Sequence, residues 1–199
     1  MDRYITSCGK EFWQKIFAYE LAYLASNLKG CREILSVGCG PAIIEGGLVK
    51  HGFNLTGLDV SREALTRAPN GVRTVAARAE ELPFLSNSFD AVIFVASLQF
   101  VEAYRRVLNQ AAFVMRPSGR VIILLLNPGS DFFKRKIRDP DSYVHRAKHK
   151  DLKKIEVAAG RHFDIQAEYF LSVSGDRVLE RADGTRSISY ILKGTAKGI

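Results

Sequence analysis

Short apolar runs alternate with helical patterns through the first two thirds of the chain. The runs predict strands at residues 33–37, 54–59, 72–76, 91–95 and 120–126. Capped or amphipathic segments predict helices between them, at residues 42–50, 61–68 and 101–115. Because parallel strands need such crossover helices, this order predicts a Rossmann-like, doubly wound α/β sheet.

The two ends of the chain depart from this alternation. Residues 9–28 carry apolar side chains at helical spacing, which predicts an amphipathic helix that ends before Gly30. A short helix at 151–159 precedes two strand-like runs, at 163–173 and 186–192. No crossover helix separates these runs, so they should form an antiparallel edge hairpin of a mostly parallel, seven-stranded sheet. We expect one domain, with a cap helix at 1–30, a core at 31–127 and a C-terminal part at 128–199.

Composition sets the broad class of the protein. The chain has 47% hydrophobic and 25% charged residues, which is typical of a soluble globular protein. No segment is long and apolar enough to span a bilayer, and residues 1–4 do not resemble a signal peptide. Cys8, Cys31 and Cys39 lack the spacing of a redox or metal site, so we expect reduced thiols, no metal and a cytoplasmic protein.

The most specific chemistry lies where the first two predicted strands end. Residues 34–42 read Ile-Leu-Ser-Val-Gly-Cys-Gly-Pro-Ala, so an apolar strand ends in a turn whose glycines let a ligand approach the backbone. Asp59 ends the second strand, where a carboxylate can accept hydrogen bonds from a ribose. These features predict an adenosine-containing cofactor. A dinucleotide site would need glycine at position 43, which is isoleucine, and no phosphate-binding loop is present.

Further motifs strengthen this prediction. They run in order along the core: Val37-Gly38-Cys39-Gly40, Gly57-Leu58-Asp59-Val60-Ser61, Ala79-Glu80-Glu81-Leu82-Pro83-Phe84, Ser88-Phe89-Asp90 and, more loosely, Arg106-Val107-Leu108 and Met115-Arg116-Pro117-Ser118-Gly119. With this set the chain resembles the class I S-adenosylmethionine-dependent methyltransferases, in their small-molecule, type 11-like branch. The resemblance implies methyl transfer from S-adenosylmethionine to a small-molecule acceptor by in-line displacement. Alignment of acceptor and methyl can supply most of the catalysis, so no catalytic residue is predicted.

The resemblance also assigns the site. It implies cofactor contacts from ten residues: Tyr4, Gly38, Cys39, Gly40, Asp59, Val60, Arg78, Ala79, Glu80 and Val95. Gln99 and Phe100 stand where family members line the acceptor pocket, although Phe100 fits the core equally well. Tyr4, Gly9 and Glu20 resemble a helix that closes over the methionine end of the cofactor, although Tyr4 fits a loosely ordered terminus equally well. If the acceptor must lose a proton, the candidate bases are His145, His149, His162 and Tyr143, although each of them also fits a surface or packing residue, which the sequence favours.

Three positions depart from the family pattern. Ser36 stands where the family usually has an acid just before the glycine loop, and Ala42, which is still small, where it usually has a third glycine. Arg78 stands where many members have an aspartate near the adenine amine. Ser36 can still bond a backbone group. Arg78 cannot accept a hydrogen bond from the amine, so it should stack on the ring or turn outward. A non-catalytic S-adenosylmethionine-binding protein therefore stays open as an alternative.

The net charge of +8 bears on the partner. Basic residues are dense in segment 134–154, at Lys134, Arg135, Lys136, Arg138, Arg146, Lys148, Lys150, Lys153 and Lys154. Such a run is typical of a solvated face, but it also suits an anionic substrate or the phosphates of RNA. No RNA-binding motif accompanies it, so a small molecule is favoured, with an RNA or other macromolecule methyltransferase as the alternative. The backbone of residues 131–144 is predicted to be irregular.

Overall fold

The computed structural model describes residues 11–174, 177–180, 182 and 184–197. The strands are β1 (Glu33–Val37), β2 (Asn54–Asp59), β3 (Arg73–Ala76), β4 (Phe89–Val95), β5 (Met115–Leu126), β6 (Phe163–Phe170), β7 (Ser172–Ser174), β8 (Arg177–Leu179) and β9 (Ser189–Ala196). The α-helices are α1 (Glu11–Asn27), α2 (Ile43–Lys50), α3 (Arg62–Leu65), α4 (Tyr104–Val114), α5 (Asp131–Lys136) and α6 (Leu152–Ala159). Short 3-10 turns lie at Leu98–Phe100, Tyr143–Arg146 and Gly184–Arg186.

Seven strands form one sheet in the order β3-β2-β1-β4-β5-β9-β6. Strands β1 to β5 are parallel, whereas β9 lies antiparallel between β5 and β6. Strands β7 and β8 form a separate antiparallel hairpin. The predicted doubly wound α/β sheet with an antiparallel C-terminal part is confirmed. Because β1 sits between β2 and β4, the chain turns in opposite directions from it, and a crevice opens at the carboxyl ends of these strands.

Both faces of the sheet are covered by apolar clusters. Neighbouring residues of a strand point to opposite faces, so Leu35 and Ile34 of β1 belong to different clusters. The Leu35 cluster includes side chains of α4 and α6, and the Ile34 cluster includes side chains of α1 and α2. This double covering explains why the central strands are apolar almost throughout.

The C-terminal third differs from the sequence expectation in its details. Residues 131–136 form helix α5 rather than irregular backbone, because the Ser130 side chain caps it by accepting a hydrogen bond from Phe133 N. The run at 163–173 divides into β6 and β7 at Leu171, whose φ is 57°. None of the helices in the described part of the chain is long and apolar enough to cross a membrane.

Candidate functional site

A cavity of about 1910 Å³ opens at the carboxyl ends of β1, β2 and β4. The loop after β1, residues 58–61 and residues 94–98 form one part of its lining. Helix α1 and side chains between residues 132 and 148 form another part. Pockets for one small ligand usually measure about 300–1,000 Å³. This cavity therefore has room for a cofactor and a second molecule.

The loop after β1 has a backbone that only glycine adopts easily. Gly38 and Gly40 have φ values of 76° and 54°. A Cβ atom on Gly38 would lie 2.5 Å from the Cβ of Ser97, so the loop and the end of β4 are in close contact. Ser97 Oγ also donates a hydrogen bond to Val37 O, at 2.6 Å. Gly38 is thus required both by its positive φ and by the lack of room for a Cβ atom beside Ser97.

The Asp59 carboxylate joins this loop to the end of β2. Its Oδ2 accepts a hydrogen bond from Gly40 N at 2.8 Å, and its Oδ1 accepts one from Ser61 N at 2.8 Å. The Ser61 side chain caps helix α3 by accepting a hydrogen bond from Ala64 N. Each carboxylate oxygen has a second lone pair. Asp59 therefore holds the loop in place and keeps acceptor capacity on the side that lines the cavity.

A buried carboxylate lies beside the glycine loop although Ser36 is not an acid. It comes from Glu45 in α2, whose Oε1 accepts a hydrogen bond from Ser36 Oγ at 2.5 Å. Both side chains are almost fully buried, and burial raises the pKa of Glu45. Our sequence reasoning did not identify Glu45. The sequence signal for Glu45 was an acidic residue in the first turn of a helix whose other residues, up to the final Lys50, are apolar or glycine.

Glu20 of α1 adds a second buried carboxylate to the same part of the cavity. It is 7% exposed, and among the described residues no group donates a hydrogen bond to it. Burial, and next the charge of Glu45, raise the pKa of Glu20 to about 8. Two buried acids without a basic partner favour a cation between them, because a positive charge would lower the cost of ionising both. We call Glu20, Glu45 and Asp59 the acidic end of the cavity.

The remaining predicted cofactor residues also line the cavity. These are Cys39, Val60, Arg78, Ala79, Glu80 and Val95. Arg78 keeps 67% of its side chain exposed and lies 3.2 Å from the Glu80 carboxylate, which agrees with the outward orientation that we expected. Burial, followed by the charges of Glu45 and Asp59, raises the pKa of the Cys39 thiol, so this group stays neutral. Tyr4 lies outside the described residues.

The two predicted acceptor residues are placed differently. Phe100 lines the cavity, but Gln99 is fully buried and does not. The Gln99 amide donates to Leu126 O at 3.0 Å and accepts from Leu126 N at 2.7 Å. It also donates to His149 O at 3.3 Å. These bonds hold the Gln99 side chain inside the core and off the cavity lining, so its contact with an acceptor stays a prediction.

Only some of the candidate bases reach the cavity. Tyr143 and His145 line it, and His145 Nε2 lies 3.0 Å from Asp139 O. His149 is held at 2.9 Å from Val101 O and does not belong to the lining. His162 follows α6, packs near Phe163 and is likewise absent from the lining. No metal-binding group of three or more His, Cys, Asp or Glu side chains occurs within the described residues.

Aromatic side chains surround the part of the cavity formed by α1 and the segment after β5. They are Trp13, Phe17, Phe100, Phe132 and Tyr143, which we call the aromatic wall. The Trp13 ring centroid lies 5.7 Å from that of Phe132 and 6.3 Å from that of Tyr143. The sequence pointed to Phe100 as an acceptor-pocket residue and to Tyr143 as a candidate base, but not to the other three rings. Trp13 and Phe17 carried a signal, since they share one face of a helix, but nothing local indicated that this face borders the cavity.

Comparison with known proteins gives the site a context. Residues 35–123 match the methyltransferase domain family. A ubiquinone biosynthesis O-methyltransferase of Alkalilimnicola ehrlichii is 32% identical over 134 residues, which cover 62% of this chain and 50% of that protein. A biotin biosynthesis bifunctional protein of Cellvibrio japonicus is 30% identical over 130 residues, which cover 63% of this chain and 26% of that protein. The chain thus spans half or less of the length of these two relatives.

A solved structure extends the likeness to the whole fold. It is a S-adenosylmethionine-dependent methyltransferase of Thermotoga maritima, described as a possible histamine N-methyltransferase. The TM-score is 0.79 at 19% sequence identity, and the match covers 98% of this chain and 97% of that one. At this identity the likeness concerns the fold, including the strands that flank the cavity.

Proposed function

We propose that this chain, which belongs to the S-adenosylmethionine-dependent methyltransferases through residues 35–123, transfers a methyl group from that cofactor to a small-molecule acceptor. The observation that carries the proposal is the Asp59 carboxylate, which bonds the glycine loop and also lines the cavity. A loop that exposes backbone beside a carboxylate with spare acceptor capacity suits the adenosine part of the cofactor. The relatives named above support the same chemistry.

Each part of the acidic end has its own role in this proposal. Asp59 would accept hydrogen bonds from the ribose hydroxyls, while Gly38 and Gly40 let the cofactor approach the backbone. Glu20 and Glu45 would receive the ammonium group at the methionine end, which explains why two carboxylates are buried together. When bound, the cofactor supplies a methyl group activated by a sulfonium. The protein then has to hold the acceptor in line and exclude water from it.

A small acceptor is supported by the shape of the cavity. The aromatic wall, helix α1 and the glycine loop line the same cavity, whose volume suits two bound molecules. Several cations of segment 134–154 already have local partners: Lys134 with Asp131, Lys153 with Glu156 and Lys154 with Asp151. Such pairing weakens the case for a long RNA-binding surface.

Calorimetric titration with S-adenosylhomocysteine, the demethylated product, tests the cofactor site. The wild-type protein should bind it, and Asp59→Ala should lower the affinity by about tenfold to a hundredfold, because bonds to a charged acceptor are worth roughly 1.5–3 kcal/mol. Asp164→Ala is the matched control, since Asp164 lies on β6 away from the cavity. Absence of binding by the wild-type protein would refute the proposal.

Transfer of labelled methyl from S-adenosylmethionine tests the acceptor. A cell extract separated by size should yield label in the small-molecule fraction, in a compound that is distinct from the labelled cofactor and that does not form when the protein is omitted. Label in RNA or protein would support the macromolecule alternative. Cofactor binding without any transfer would support a non-catalytic binding protein.

A further inference from the structure

The aromatic wall is a continuous series of rings drawn from four separate segments. Trp13 stacks on Phe17 with centroids 6.0 Å apart and planes inclined by 29°. Tyr143 lies next to Trp13 and in turn 6.2 Å from Phe100, at 31°. Helix α1 and the 3-10 turns at Leu98–Phe100 and Tyr143–Arg146 thus present their rings toward the same cavity.

Much of the ring surface of the aromatic wall is not buried against other side chains. Phe132 is 5% exposed and serves as a support for Trp13. Trp13, Phe17, Phe100 and Tyr143 are only half-buried, and all of them line the cavity. Flat, partly exposed rings favour a flat ligand, because stacked and edge-to-face contacts add to the gain from burying apolar area.

Lys136 gives this end of the cavity a positive charge. Its Nζ lies 5.8 Å from the Trp13 ring centroid and 5.9 Å from that of Phe132, and its side chain lines the cavity. Lys148, which also lines the cavity, pairs with Glu102 at 2.9 Å. By contrast, among the described residues no carboxylate forms an ion pair with Lys136. Its ammonium group can therefore meet a charge brought by a ligand.

The cavity differs in charge between its acidic end and the aromatic wall. Glu20, Glu45 and Asp59 form the acidic end, which suits a cationic cofactor. The segment after α5 brings charges of both signs to the lining, and Lys136 is the cation that lies against the rings of the aromatic wall. An acceptor that carries a negative charge would be drawn to Lys136 and away from the Asp59 carboxylate. This arrangement orients such a molecule before any specific contact forms.

Resting on the proposed function, we propose that the acceptor is a planar aromatic molecule with an anionic substituent, a carboxylate or a phosphate. Its ring lies against the aromatic wall, and its anionic group meets Lys136. The aromatic wall selects an acceptor with an aromatic ring, and Lys136 selects an acceptor with a negative charge.

The chain contains a single tryptophan, and it is Trp13, so its fluorescence reports directly on this end of the cavity. The protein saturated with S-adenosylhomocysteine is titrated with para-hydroxybenzoate, phenyl phosphate, para-hydroxybenzyl alcohol and cyclohexanecarboxylate. We expect one or both aromatic anions to bind about tenfold more tightly than the neutral alcohol and the non-aromatic anion. Comparison of the two aromatic anions tells carboxylate from phosphate. Equal affinity for all four probes, or binding of none, overturns the proposal.

Two lysine variants form a matched pair. Lys136→Gln should bring the affinity for the preferred aromatic anion down about tenfold, to the level of the neutral alcohol. Lys134→Gln removes a neighbouring charge that does not line the cavity, and it should change nothing. Calorimetry on Trp13→Leu should show that aromatic and non-aromatic anions bind equally. A charge preference that survives in Lys136→Gln contradicts the proposal.

The titration with S-adenosylhomocysteine separates the proposed function from the proposed class of acceptor. If S-adenosylhomocysteine binds and the probes do not discriminate, only the acceptor class is wrong. If S-adenosylhomocysteine does not bind, the proposed function fails. The probe titrations are therefore repeated without it, so that the ring and charge preferences are measured in either case.

Discussion

The two ends of the cavity are built in different ways. At the acidic end the backbone of a short loop and the end of the adjacent strand carry the geometry around Asp59, through Gly38 and Gly40, and α1 and α2 each add one buried carboxylate. At the other end the aromatic wall combines rings that are far apart in the sequence, such as Trp13 and Tyr143. A cofactor site can thus be specified locally, whereas an acceptor site depends on how separate elements pack. Changes in the first should abolish binding, and changes in the second should alter selectivity.

The largest effect is expected from Gly38→Ala. The new Cβ would meet the Cβ of Ser97 at 2.5 Å, in a backbone with φ of 76°. We expect loss of S-adenosylhomocysteine binding, and a fall of about 2–4 kcal/mol in the free energy of unfolding from overpacking and strain. Calorimetry and urea denaturation measure the two quantities.

Gly52→Ala is the control for this variant. Gly52 has φ of 88°, yet a Cβ there would find no atom within 4 Å. It should lose only about 1–2 kcal/mol of stability and keep its cofactor affinity. Equal losses of affinity in the two variants would show that the acidic end does not depend on the approach of the loop to Ser97.

A smaller effect on stability, with none on cofactor affinity, is expected from Gln99→Leu. The change leaves Leu126 N and Leu126 O without the partners that the buried amide now supplies. We expect a loss of about 3 kcal/mol in the free energy of unfolding. Gln166→Leu, on an exposed position of β6, should stay within about 0.5 kcal/mol. If Gln99 instead contacts the acceptor, its variant will change the KM for that acceptor and leave stability intact.

The smallest effect concerns the pH dependence of stability through Glu20. Its pKa is raised to about 8 in the folded protein, so between about pH 5 and pH 8 the folded state holds a proton that the unfolded chain has released. The wild-type protein should therefore lose stability as pH rises through this range. Glu20→Gln, which has no proton to lose, should not show this loss.

The quantity to measure is the difference in unfolding free energy between wild type and Glu20→Gln at each pH. We expect it to change by on the order of 2 kcal/mol, less than the full shift implies, because water in the cavity relaxes around the carboxylate. If the unfolding free energies of the two proteins change in parallel with pH, the pKa of Glu20 is not raised by folding. The Glu20 and Glu45 carboxylates would then not raise the cost of ionising each other.

Sequence patterns predicted the central sheet well because its strands are covered on both faces. Strands β1 and β2 begin and end where the apolar runs do, at residues 33–37 and 54–59. Helix α5 was missed, because six residues form a helix only when Ser130 caps them and the buried Phe132 and Phe133 hold them in place. Short elements of this kind depend on tertiary contacts that no local pattern shows.

The sequence by itself determined the fold class, the glycine loop and the acid that follows it, since backbone conformation and strand burial leave local patterns. Only the tertiary structure decided which other side chains share the cavity. It placed the Glu45 carboxylate against Ser36, turned Gln99 inward and brought Trp13 next to Tyr143. These outcomes depend on contacts between elements distant in the chain. A side chain's neighbours across the sheet, rather than its neighbours in sequence, decide its chemistry there.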